Sequence, residues 1–266
     1  MSDQPLYIWA LVLLAATGMP AITSIMLYRG AVAAGLGRGT ATGVAAAAGF
    51  GGWLVITGFL ALALVYRGPQ SGLWFGLATV GPLGALVLAT RIPVVARIVA
   101  DPGTTARLTV PHTVRVTGIV FLLLMVQGQL SAGFALPAGL GDIATGLAAP
   151  FVARWLARAP RHADVVAAAA RFHLLGTLDL LVALSLGVLL GPPWLLGGTP
   201  STELLRLLPA ALIPTVAIPL AVALHIVTLG RLRPASVRRT APDTATRPQG
   251  EPWSRFGPKL PSEEQP

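Results

Sequence analysis

Cysteine is absent from the 266 residues, which excludes disulfide staples, thiolate metal centres, CxxC redox chemistry and a cysteine nucleophile. Lysine is nearly absent too. The single one, Lys259, lies in the polar C-terminal stretch, so a Schiff-base lysine cannot stand inside a bundle. Charged residues make up only 11% of the chain, against roughly a quarter in soluble domains, which excludes a disordered protein and an ordinary soluble enzyme. HExxH, a Walker loop, GxSxG, a paired-glutamate protease motif and DDxxD are also missing. No nucleophile and base share a face, so catalysis ranks low; a lipid-modifying enzyme with Asp and His at the interface stays a minor alternative.

What is present is apolar. Hydrophobic residues reach 54% and the mean hydropathy is +0.73, from long Ala, Leu, Val and Gly runs rather than alternating patterns. A span takes about 20 apolar residues. Seven such stretches fall at 5–28, 43–66, 72–90, 114–134, 137–153, 172–191 and 208–230, which predicts an all-α, polytopic transmembrane bundle over residues 1–233. The first stretch follows Met1-Ser2-Asp3-Gln4, which lacks the basic residues of a signal peptide, so it is expected to stay as a membrane helix. Residues 234–266 are rich in Pro, Arg and Thr and are expected to form a disordered cytoplasmic tail.

The net charge of +9 then receives a topological reading. Sixteen of the nineteen basic residues fall between spans one and two, three and four, or five and six, or after span seven. The positive-inside rule places the N-terminus outside and the C-terminus in the cytoplasm, as an odd span count requires. Arg231, Arg233, Arg238 and Arg239, beside the last span, suit anionic lipid headgroups, and the charge calls for no nucleic acid.

Ionisable groups within the spans are few, and such groups tend to face a partner or a cavity. At 100° per residue His112, Arg115 and Gln129 share a stripe of span four, with Gly118 at its edge. Asp142 continues through Thr145, Gly146, Ala149 and Ala153, a small-residue face that admits a neighbouring helix. It is expected in the outer half of the membrane, against Gln129 or Gln127 or capping its own helix after Pro137 and Gly141, about 20 Å from Arg115. Asp179, with Gly176 and Ala183 on its face, is expected to pair with Arg115. His112, His173 and His225 are expected at similar depth on three helices, where imidazoles could ligate haem or a transition metal; His162 is placed in a loop. Pro214 and Pro219 should kink span seven and free carbonyls that need partners.

The stretches FALPAGLGDIATGLAAPFVAR and IPTVAIPLAVALHIVTLGRLR resemble segments of small bacterial multi-pass membrane proteins with no assigned activity. The resemblance covers His112 to Arg233, implies a bacterial inner-membrane location and carries over no functional residue. Three functions stay open. The leading one is a small transporter, permease-like or ion-pathway protein using Arg115, Gln129, Asp142, Asp179 and His225, with no cofactor. The others are a non-catalytic accessory protein and a haem or metal protein using His112, His173 and His225.

Overall fold

The computed structural model describes residues 4–48, 51–63, 65–67, 70–191 and 200–232. Arg233, Arg238, Arg239 and the rest of the tail expected to be disordered lie outside the described residues. Among those described there is no strand, and six helices are long and apolar enough to cross a membrane. They are α1 (Leu6–Ala33), α4 (Ser71–Ala89), α6 (Thr104–Val126), α7 (Ala132–Arg158), α8 (Ala163–Leu189) and α9 (Ile213–Leu232). Shorter helices α2 (Arg38–Ala48), α3 (Gly51–Leu62) and α5 (Pro93–Ala100) connect them. Large apolar side chains such as Leu6, Val55, Phe59, Leu88 and Val126 are largely exposed, which a lipid-facing surface accommodates and a water-facing one does not.

The stretch 43–66, expected as one span, holds α2 and α3, and no helix of membrane length is described there. Gly51-Gly52 at the start of α3 disfavours helix continuity. Ala41 of α2 is buried with Ala31 and Ile98 near the end of α1, whereas Thr57 of α3 is hydrogen-bonded to Tyr66 (2.8 Å), which is buried beside Ala78 and Ala211.

The most buried helix is α9, which packs against α1, α4, α6 and α8. Its first turn, Ile213–Ala217, is π-helical, as is Leu14–Gly18 within α1, and the two π turns touch. In α9 the cause is visible in the sequence. Pro219 has no N–H to give the carbonyl four residues back, that of Thr215. The indole of Trp53 donates to that carbonyl instead (2.7 Å), so α3 supplies the bond that proline removes. Trp53→Phe should therefore destabilise the protein by about 1–2 kcal/mol, read as a lower melting temperature in detergent.

The strongest packing is between α6 and α7, and it depends on a change of helix type. Val110–Gly118 within α6 is a 3-10 helix. Pro111 removes a donor, and Thr113 and Thr117 donate to the carbonyls of Val110 and Val114, each three residues back (2.8 Å both). The i to i+3 pattern is thus reinforced from the side chains. At three residues per turn His112, Arg115 and Gly118 stand in one row, whereas a 100° step leaves Gly118 at the margin.

Candidate functional site

Arg115 stands midway along α6, eleven residues from either end of Thr104–Val126. Asp142 is ten residues from the start of α7 at Ala132, and Asp179 is ten residues from the end of α8 at Leu189. Because α7 runs antiparallel to its two neighbours, these three positions share one depth, roughly 15–18 Å below the same surface. Arg115 Nε donates to Asp142 Oδ1 at 2.7 Å, and its Nη2 donates to Asp179 Oδ2. The arginine side chain is 3% exposed, those of the two aspartates 16% and 17%. One buried cation is therefore shared by two carboxylates, each held by a charge-assisted bond.

The Arg115–Asp179 pair stands where the helix faces place it, but the expected position of Asp142 is corrected. It neither caps its helix nor stands about 20 Å from Arg115. The helix begins at Ala132 and runs through Pro137, so Asp142 lies well inside it; Arg115 is at mid-span because α6 begins at Thr104. Gln129 is corrected as well. It accepts from Gln4 (2.6 Å) and donates to Gln127 (3.0 Å), which donates to Tyr7 (2.5 Å), so these amides tie the start of α1 to the α6–α7 turn. Gly128 makes that turn at φ 68°, a backbone that side chains disfavour.

Glycines make the room for the charged cluster. A Cβ on Gly118 would meet Asp142, one on Gly141 would meet the Asp179 carboxylate, and one on Gly176 would lie 2.5 Å from His225 Cε1. At Gly146 the obstacle is the backbone nitrogen of Val116, which has no rotamer to yield. The small-residue face of α7 thus lets the α6 backbone come close enough for Arg115 to reach both acids.

From Arg115 a line of hydrogen bonds runs toward the start of α6. Nη1 lies 3.1 Å from His225 Nε2, His225 Nδ1 lies 2.8 Å from His173 Nδ1, and His173 Nε2 lies 3.1 Å from Thr109 Oγ1. Thr109 donates to the Thr105 carbonyl at 2.7 Å. A guanidinium only donates, so Nε2 of a neutral His225 accepts, and its Nδ1 carries the proton given to His173. His173 then donates from Nε2 to Thr109. Every bond in the line points the same way.

His112 is outside this line. It stacks on His225 with ring centroids 3.9 Å apart and planes at 19°, and Phe172 closes the group edge-on. All three imidazoles are fully buried, and each offers a ligand atom within 4.8 Å of the other two. Both nitrogens of His112 are buried with no hydrogen-bond partner among the described residues. His162 is exposed beside Asp164.

Two cavities adjoin at Asp142. The smaller, about 30 Å³, touches Arg115, Thr117, Gly118 and both π turns, and is large enough for a water molecule. The larger, about 340 Å³, is bounded by Phe121, Phe134, Thr202, Arg206 and Pro214, with Asp142 at its inner end. Its lining is mostly apolar, and Asp179 borders neither cavity. Arg206, at the far end, donates to Ser71 (3.2 Å) and stands over the Phe75 ring. Arg231 donates to the carbonyl of Ala100 at the end of α5 (2.8 Å).

Residues 72–233 match a family described as a domain of unknown function (DUF8737). The chain belongs to that family. No curated protein and no solved structure matches it. The DUF8737 match takes in Arg115, Asp142, Asp179, the three buried histidines and every residue bordering the larger cavity; it leaves out α1, α2 and α3. Sequence reading missed the Asp142 contact and the 3-10 row. The signal available was Pro111 followed by Thr113 and Thr117, with His112, Arg115 and Gly118 spaced by three.

Proposed function

We propose that the chain is a multi-pass protein of a bacterial inner membrane, permease-like in mechanism, in which a proton or a small lipophilic cation exchanges at Asp142. The observation that carries this reading is Asp142 itself, a carboxylate ten residues inside a helix of membrane length that ends an apolar cavity and is tied to a shared arginine. Two carboxylates and one guanidinium leave one negative charge when both acids are ionised. In a low-dielectric bundle that charge calls for a proton or a cation, and the groups nearest to it are Arg115 and, beyond that, His225. An apolar lining suits a cation whose charge is delocalised over hydrocarbon. The two touching π turns border the small cavity, and helix irregularities of this kind recur where transporters bind and move substrates.

The same reading takes seven crossings. Ala41 of α2 lies beside Ile98, near the start of α6, while α4 begins near Arg206 at the other surface, so α2 and α3 together carry the chain across. The N-terminus is then outside, the C-terminus cytoplasmic, and Arg233, Arg238 and Arg239 meet anionic headgroups.

The test is proton flux. Purified protein in vesicles loaded with a pH-sensitive dye, under an inside-negative potassium diffusion potential, should acidify the lumen faster than protein-free vesicles, or alkalinise it faster when tetraphenylphosphonium is offered outside in exchange for luminal protons. Asp142→Asn should bring the rate to the protein-free background. Wild-type flux at background under both conditions would overturn the reading.

A further inference from the structure

We propose that His112, His173 and His225 form a copper(I) site inside the bundle, distinct from the exchange at Asp142. The first ground is convergence. Three helices, α6, α8 and α9, each bring one fully buried imidazole to within 4.8 Å of the others. The second is independent of it. His112 has two nitrogens and no partner for either among the described residues, although a buried unpaired polar atom is costly and native interiors rarely keep one without a ligand or water. Its stacking on His225 at 3.9 Å holds it beside the other two rings and leaves no gap for a macrocycle between them, so a bare ion suits the group and haem does not.

The hydrogen-bond line selects the ligand atoms. His173 keeps its Nε2 proton on Thr109, the outer contact that orients a metal-bound imidazole, and presents Nδ1 to the ion. His225 presents the Nδ1 that now faces His173 at 2.8 Å. Its proton moves to Nε2, so the 3.1 Å contact with Arg115 opens while Arg115 keeps both aspartates. No proton leaves the protein in this change. Either nitrogen of His112 completes a three-coordinate site.

Charge selects the ion. Three neutral imidazoles bring no charge to offset a buried ion, so a monovalent cation costs less to take out of water there than a divalent one. Imidazole ligands suit copper, and the chain has no thiolate to compete for it.

The full chain in detergent, titrated anaerobically with copper(I) against a chromogenic chelator, should bind one ion per chain, and X-ray absorption should show a shell of imidazole nitrogens. His112→Phe keeps the ring stack and should weaken binding roughly 100-fold or more; Thr109→Val should weaken it about tenfold. His162→Ala should bind like wild type. If the wild type fails to hold stoichiometric copper, or its copper shell lacks imidazole, the proposal is overturned, whether or not the variants fold. Equal binding by a folded His112→Phe, or loss in His162→Ala, overturns it too. Proton flux at Asp142 is read in separate vesicles, so either proposal can fail alone.

Discussion

Replacing Arg115 with methionine should lower stability by about 3–5 kcal/mol, because two carboxylates then remain buried without a cation. In a chain of this size that is a fall on the order of 10 °C in melting temperature, with a matching loss of monodisperse protein after detergent extraction. The single neutralisations Asp142→Asn and Asp179→Asn should be milder, about 1–3 kcal/mol each, since Arg115 keeps the other acid. This asymmetry belongs to a cation shared by two acids. Three independent snorkelling residues would show no such hierarchy.

A comparable loss is expected from a single methyl group. Gly146→Ala places a Cβ against the backbone nitrogen of Val116 in α6, and backbone cannot rotate away. The two helices must separate, and the Arg115–Asp142 contact lengthens with them. The expected cost is about 3 kcal/mol or more, at the upper end of overpacking, read as melting temperature in detergent. Gly84→Ala is the control. It lies inside α4 with no atom within 4 Å of the added Cβ, so better helix propensity should stabilise it by up to about 1 kcal/mol. Equal effects at the two glycines would contradict the packing described.

How far the sequence leads depends on whether local periodicity survives folding. The long apolar stretches are regular helices in which side chains follow a 100° step, so the helical class, the small-residue face of α7 and the Arg115–Asp179 pair are all legible. Asp142 was not. The apolar pattern starts its helix at Pro137 and the preceding span at residue 114, which sets it about 20 Å from Arg115, whereas both helices begin earlier, at Ala132 and Thr104. Proline in the first turns marks a helix start in soluble proteins, but in a packed bundle Pro137 is carried inside the helix. The 3-10 stretch changes the angular step over nine residues, and the two π turns change it again near Pro20 and Pro219. The site lies where these irregular segments meet. Convergence of the imidazoles was legible only as similar depth, because whether three helices turn the same faces inward is a tertiary fact.

The account rests on Arg115 being held between Asp142 and Asp179 at one depth. A thermodynamic cycle over these residues in one detergent tests it most directly, comparing melting of Asp142→Asn, Asp179→Asn, their combination, and the triple variant with Arg115→Met. The account predicts that the double variant loses far more than the sum of the singles, since a buried guanidinium is left alone, and that removing Arg115 as well restores much of that loss. Additive losses, with no recovery in the triple variant, would contradict it.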